Sequence, residues 1–377
     1  MAKKIFFFSL SLFVLVLIFL GAYNFIFKHN VNNPVADPGK KQFDQEKSDL
    51  PFIAQGMAEN PINEDILGAM VTNDTLYYYS LDDKALKKAT LEGKNKSILM
   101  SNLPGEATRV LWSPKKTEVL LLLKQATGTL WYYAELSNKT LIPLKPEIGR
   151  LAWDNFGEKV LYQYTDPLTK KRSLNVADPD GSNWKKLTDL GTDDFFLSSV
   201  PGSSLVSFWM RPTVDRSASI ETMTISGDGR KSLSSPLYGA DYLWSPTGEY
   251  ALVSGSTIAT GKDFSLRLIN SAGTIKSLEV PTLLSKTTWS KDGRTVYFAL
   301  PGGLPENTLL PNDYYEKSLH SKDTFWKIDA TTGKKTRLIE LKEATQTFDS
   351  SDLFLSPQED ALYFTDRVTK RLYRIEL

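Results

Sequence analysis

Only two histidines occur in the chain, His29 and His320, and there is no cysteine. Histidine is the usual proton carrier near neutral pH, so a Ser-His-Asp arrangement would have to run through His320. No G-x-S-x-G elbow offers that histidine a serine, and a lone loop histidine is more often a surface residue than a base. The lack of cysteine removes thiolate nucleophiles, thiolate metal sites and disulfides together. Asp178-Pro179-Asp180-Gly181-Ser182-Asn183 begins like a calcium loop. Its glycine falls at the fourth position rather than the sixth, and Asp189 stands where a closing Glu is needed. Ser226-Gly227-Asp228-Gly229 and Ala330-Thr331-Thr332-Gly333 occupy corresponding places, so a recurring turn accounts for all three. There is no zinc-type His/carboxylate cluster and no glycine-rich phosphate loop, so no cofactor or metal is expected.

Two chemistries remain. Asp166, Asp215 and Asp313 are carboxylates that a sugar- or ester-cleaving enzyme would use as paired acid and base. Binding chemistry has more to work with. Tyr314 and Tyr315 form an aromatic pair beside Asp313 in a segment rich in Pro and Gly, and such pairs anchor peptide or sugar when exposed. Lys170, Lys171, Arg172, Arg211, Arg216 and Lys262 are basic groups that meet an anionic partner or form a solvated rim. The candidate partner-binding face is therefore Tyr314, Tyr315, Asp313, Lys170, Lys171, Arg211 and Arg216.

The elements that position these residues are set by a repeat. Asp241-Tyr242-Leu243-Trp244-Ser245-Pro246-Thr247-Gly248-Glu249-Tyr250-Ala251-Leu252-Val253 reads as a strand, a tight turn and a second strand. Copies start at Leu111-Trp112-Ser113-Pro114, Leu151-Ala152-Trp153-Asp154, Phe195-Phe196-Leu197-Ser198, Thr288-Trp289-Ser290 and Leu353-Phe354-Leu355-Ser356. The steps between copies are about 41 to 46 residues, with one of about 66, and a period in this range with several short strands per unit signals β-propeller blades. Each unit's second half alternates in the same way around Gly/Asp turns, as in Arg172–Ala177 followed by Trp184–Thr188, so four strands per unit is the natural count. Trp112, Trp153, Trp244 and Trp289 share one repeat position and are expected to pack between blades.

The W-S-P-x-G turn, with a later strand ending in Asp near a Gly and a Leu-Thr, resembles the WD-like repeats of TolB-type propellers, which also build the propeller of prolyl oligopeptidase-type enzymes. The resemblance covers roughly residues 66–377 and implies an all-β fold, with envelope interaction as the implied role. It implies little about chemistry, because propellers host many activities. No hydrolase domain is expected beside the propeller.

Lys+Arg and Asp+Glu nearly cancel, giving a net charge of +1, which argues against a nucleic-acid binder. Residues 5–27 are almost wholly apolar, long enough to cross a bilayer, with Lys3 and Lys4 before them and Lys28 after. An uncleaved signal anchor fits this length better than a cleaved signal peptide, and places the N-terminus in the cytoplasm. The expected organisation is a cytoplasmic tip (1–4), a transmembrane helix (5–27), a polar linker (28–60) and a propeller (61–377). Seven blades are expected, six or eight also fit, and the last lacks a strand that an upstream segment such as Phe52-Ile53-Ala54 would supply. The functional expectation is a membrane-anchored, extracytoplasmic, bacterial binding or assembly module for a protein, peptide or envelope component. A propeller hydrolase or lyase is the alternative.

Long loops fall between second and third strands, above all between Phe298 and Trp326. That insert is expected either to contact a partner or to act as a lid over the channel.

Overall fold

The computed structural model describes residues 58–316, 319–339 and 346–377. Seven antiparallel sheets follow one another along the chain, each a meander in which sequence neighbours pair. Blade 1 is Ile66–Thr72, Thr75–Ser80, Ala85–Thr90 and Ser97–Met100; blade 2 is Glu106–Trp112, Glu118–Gln125, Gly128–Glu135 and Thr140–Pro143. Blade 3 is Ile148–Trp153, Val160–Thr165, Arg172–Ala177 and Lys185–Gly191; blade 4 is Phe195–Ser199, Leu205–Met210, Glu221–Thr224 and Lys231–Ser232. Blade 5 is Leu237–Trp244, Tyr250–Ser256, Ser265–Asn270 and Ile275–Val280; blade 6 is Thr287–Trp289, Thr295–Leu300, Thr324–Asp329 and Lys335–Arg337. Blade 7 has Ser350–Leu355, Ala361–Asp366 and Leu372–Glu376. The fold is a seven-bladed β-propeller.

The core explains why the ring closes. Seven apolar clusters lie one at each blade interface, because alternate side chains of each twisted sheet are apolar and must face the neighbouring sheet. Leu252, Leu266, Trp289 and Phe298 join blades 5 and 6, and Ile66, Leu76, Tyr363 and Leu372 join blades 7 and 1. Fully burying each such side chain contributes about 1.5–3 kcal/mol. The three-stranded last blade gains its outer pairing from upstream, at Glu59, whose amide and carbonyl bond Arg374 at 2.8 Å each way. This pairing sits inside the stretch expected to be linker. Phe52-Ile53-Ala54, the candidate for the role from sequence, and the apolar run 5–27 lie outside the described residues. Among the described residues no helix is long and apolar enough to cross a membrane.

The repeated tryptophans clamp one blade to the next. The Trp153 indole donates to the Leu111 carbonyl at 2.9 Å, Trp289 to Leu243 at 3.4 Å and Trp112 to Gly68 at 2.6 Å. Blade 4 has no tryptophan at this place, and Trp244 donates instead to the Ser207 hydroxyl at 2.9 Å. The turn after Trp244 is closed by a Gly248 amide bond to Ser245 at 2.9 Å, with φ of +72° at the glycine. A Cβ there would meet the Pro201 carbonyl at 2.1 Å. Lys116 and Glu359 hold the same left-handed turn position in blades 2 and 7, with φ of +64° and +58°.

Two irregularities matter for function. Ser217–Ala218, in the long loop of blade 4, adds a fifth strand to blade 5 by pairing with Leu237 and Tyr238. The first, innermost strand also breaks register in blades 1, 2, 3, 5 and 7, between Leu67 and Met70, Ala107 and Arg109, Ile148 and Leu151, Tyr238 and Asp241, and Ser351 and Phe354. A bulge turns a side chain out of the pleat's alternation. Here it turns side chains towards the axis of the ring.

Candidate functional site

In a four-stranded meander, loops from the second to the third strand open on the same face as the links between blades. The insert of blade 6 is the largest of these loops, and a short helix, Asn312–Glu316, forms its centre. Adjacent residues on a helix point in different directions, so the two tyrosines part. Tyr314 is fully buried among Phe264, Leu283, Leu304 and Leu310, whereas Tyr315 is half exposed and donates to the Ser285 hydroxyl at 3.1 Å. Asp313 is buried as well, with one oxygen accepting the Leu309 amide at 3.0 Å. Tyr314 and Asp313 therefore leave the exposed face on which the sequence reading set them, because the insert is packed by its own apolar side.

A buried polar network holds the insert down. Asp349, at the start of blade 7, accepts the Tyr314 hydroxyl, the Ser321 hydroxyl at 2.9 Å and the Lys286 ammonium at 2.9 Å on one oxygen. Its other oxygen meets Arg367 at 3.1 Å and His320 at 3.2 Å. Lys286, itself fully buried, also reaches Asp323 at 2.6 Å and the Ser350 carbonyl at 2.7 Å. The Arg367 guanidinium lies 3.9 Å from the Tyr314 ring centre. Burial opposes ionisation of Asp349, but the Tyr314 hydroxyl, Lys286 and Arg367 outweigh it and hold the carboxyl at about 2. Burial, and then the same carboxylate, push the Tyr314 phenol far up. His320 is thus a partner of a structural carboxylate, and no serine nucleophile sits with it in the G-x-S-x-G context.

The insert also leans on blade 4, where Asn312 accepts the Val214 amide at 2.8 Å. That loop carries the exposed Arg211 and Arg216, and Arg216 pairs with Asp193 at 2.7 Å. Lys170 and Lys171 are exposed at the end of blade 3's loop. Tyr315, Arg211, Arg216, Lys170 and Lys171 therefore share the loop face. Asp166 and Asp215 do not line the channel as a catalytic pair. Asp166 is engaged by Thr169, whose amide and hydroxyl reach it at 2.7 and 2.9 Å, and by the Leu168 amide at 3.0 Å, while Asp215 is an exposed loop residue.

The loop face is apolar at its tips. Among the described residues, eight large apolar side chains are exposed, and five of them, Leu168, Ile258, Leu309, Tyr315 and Val368, lie on second-to-third-strand loops. They come from blades 3, 5, 6 and 7. Leu168 is 90% exposed.

The channel carries charge that the sequence reading missed. Arg109, Arg150, Asp241 and Asp352 each stand three residues before the last residue of an inner strand, at Trp112, Trp153, Trp244 and Leu355. Although they come from blades 2, 3, 5 and 7, Arg109 lies within electrostatic reach of the other three. Arg150 pairs with Asp194 at 3.1 Å and packs 4.3 Å from the Phe196 ring centre, and Phe196 holds the same repeat position in blade 4. Asp241 accepts the Trp209 indole at 2.9 Å and the Tyr242 amide at 3.0 Å on one oxygen. Desolvation by the surrounding channel walls raises Asp241 to about 6 against the opposing pull of these donors and of the arginines, and it raises Asp352 too. Desolvation by the same walls and the neighbouring Arg150 lower Arg109.

On the opposite face, a cleft of about 510 Å³ between blades 2 and 3 is lined by Glu118, Glu135, Glu158, Asp178, Asp180 and Lys115, among others. Asp178 in it is paired with Lys159 at 2.5 Å and Asn183 at 2.7 Å, as a turn carboxylate. Among the described residues no three His, Cys, Asp or Glu side chains come together as metal ligands would.

Neither a protein-family model nor a curated protein matches the chain. Solved structures do. An oligogalacturonate lyase from Vibrio parahaemolyticus superposes with a TM-score of 0.61 at 11% identity, covering 85% of this chain and 91% of that one. An oligogalacturonate lyase in complex with manganese gives 0.58 at 12% identity, covering 81% and 86%. A putative TolB from Agrobacterium tumefaciens gives 0.43 at 15% identity, covering 57% and 80%. The two lyase superpositions show the shared propeller fold, and at identities this low activity is left to be argued from the site.

Proposed function

We propose that this chain is a non-catalytic docking propeller, tethered to the bacterial envelope membrane by residues 5–27, whose loop face binds a protein partner. The observation that carries this reading is the concentration of exposed apolar side chains on the loops of one face, at Leu168, Ile258, Leu309, Tyr315 and Val368. Apolar tips ringed by basic groups, here Lys170, Lys171, Arg211 and Arg216, are how a protein-binding surface differs from ordinary solvated loops. The rigid anchoring of the insert through Asp349 lowers the entropy lost on docking. Site-specific photo-cross-linking in the native host tests it. Probes at Leu168, Tyr315 and Val368 should give one shared protein adduct, while a probe at Ile98 on an outer strand should not. Matching adducts from Ile98, or none from the loop face, would remove the reading.

A second reading, an enzyme acting on an acidic sugar, is favoured by one observation. Asp241 is raised to about 6, a proton affinity suited to general acid–base work near neutral pH, in a channel that also holds two arginines. The two solved structures to which the fold is similar are oligogalacturonate lyases. The described residues do not fit a metal centre, so no step is assigned to manganese. Incubation with oligogalacturonate, monitored by the ultraviolet absorbance of a newly formed carbon–carbon double bond, decides between the two readings.

A further inference from the structure

We infer that the central channel is a binding site for a small zwitterion, with its anionic end on Arg109 and Arg150 and its cationic end on Asp241 and Asp352. The arrangement of charge carries this. The two guanidiniums stand on neighbouring blades 2 and 3, and the two carboxylates stand on blades 5 and 7, on the other side of the ring. A channel that needed only internal neutrality would pair each arginine with one of these aspartates. Instead no hydrogen bond or ion pair joins the Arg109 guanidinium to another described residue, and Arg150 turns to Asp194.

The carboxylates are left open in the same way. Asp241 engages Trp209 and the Tyr242 amide through Oδ1 alone, which leaves Oδ2 without a partner among the described residues. Among the described residues, Asp352 accepts only the Ser351 hydroxyl, at 3.3 Å. Water reaches all four groups, since Arg109 and Asp352 are exposed and Arg150 and Asp241 are partly so. Two separated, like-signed pairs that do not meet each other leave a gap that a ligand with both charges fills. A carboxylate receives charge-assisted bonds from a guanidinium, and an ammonium donates to the aspartates. From the loop face, the half-exposed Tyr315 lies within electrostatic reach of Asp241. A free amino acid or short peptide has this chemistry. The site is separate from the docking tips, so failure here leaves the protein-partner reading standing, and the converse holds.

The test is calorimetric titration of the full chain in detergent micelles with glycine, diglycine and triglycine, which sample different charge separations. At least one should bind, and its N-acetylated and C-amidated forms should each bind about tenfold or more weakly, the loss of one charge-assisted contact. Arg109→Gln should narrow the difference between the free acid and the amide, with Arg150 left to hold the remainder. Asp352→Asn should do so for the free and the acetylated amine. Arg109 holds no hydrogen-bond or ion-pair partner among the described residues, so R109Q should keep the wild-type circular dichroism spectrum. Absence of binding by all three peptides, or equal binding of the blocked forms to the unaltered chain, would overturn the proposal. D-galacturonate binding as tightly as the best zwitterion would overturn its cationic half.

Discussion

The Tyr314 hydroxyl donates to Asp349 across 35 residues of chain, from the insert of blade 6 to the start of blade 7. That one bond makes a surface insertion part of the interior. Asp349 needs it, because a carboxylate removed from water must be matched by donors and positive charge, and Lys286, Arg367, Ser321 and Tyr314 provide them from three directions.

Acid should therefore loosen the insert. The Asp349 carboxyl falls from 3.8 to about 2 in the folded state, so its contribution is complete above about pH 4 and is lost as the pH falls towards 2. Over that window it amounts to about 2 kcal/mol. Glu64, lowered from 4.5 to about 2 despite burial by hydrogen bonds from Lys96 and Lys87, adds loss in an overlapping range. Tyr314→Phe separates the two. It should cost about 1–3 kcal/mol at neutral pH, and it should reduce the acid slope because Asp349 then titrates closer to its free value. Denaturant unfolding at a series of pH values measures both, and a variant as stable and as acid-sensitive as the parent would deny the bond a structural role.

Asp241 should act in the opposite sense. Its carboxyl is raised from 3.8 to about 6, so the stability it lends is present below about pH 4 and disappears as the pH rises through 6. Above that point the folded chain carries a carboxylate that is costly to ionise. Asp241→Asn keeps an oxygen for the Trp209 indole and the Tyr242 amide while removing the charge. It should stabilise the protein at pH 7 by about 1–2 kcal/mol, a figure reduced for the water that enters the channel, and it should flatten the pH dependence of unfolding between 4 and 6. A variant less stable than the parent at pH 7 would show that the carboxylate is satisfied by groups other than those named.

The sequence reading reached the blades because each repeat carries its own turn and clamp residue, so every unit states its fold locally. Ring closure was legible in kind, since a three-stranded last blade needs a partner, but nothing in the local pattern marked Glu59 as a residue that pairs there. The site was less legible. Tyr314 and Tyr315 look equivalent as a pair, and only a helix at 312–316 sends one inward and leaves the other half exposed. The channel charges were in view, three residues before the strand-ending residue in four repeats. Strict strand alternation assigns that place to a blade interface, and the bulge that redirects it is announced only indirectly, by Gly68, Gly149 and Gly239 just upstream of it. Lys286 shows how little position alone decides. It stands three residues before Trp289, yet a short 3-10 turn at Leu284–Lys286 diverts it into the buried network.

The turn glycine gives the sharpest test of the repeat itself. Gly248 has φ of +72°, and a Cβ on it would sit 2.1 Å from the Pro201 carbonyl of the preceding blade. Gly248→Ala therefore combines backbone strain with a backbone clash, and it should cost about 1–3 kcal/mol or more. Lys116 occupies the same left-handed position in blade 2 at +64°, where the side chain already bears that strain. Lys116→Gly should stabilise by up to about 1 kcal/mol, since the relief of strain exceeds the added freedom of the unfolded glycine. Thermal unfolding of the two variants side by side measures the opposed signs. If both substitutions lowered the melting temperature, Lys116 would be held by contacts that outweigh its strain, and the equivalence of the two turns would fail.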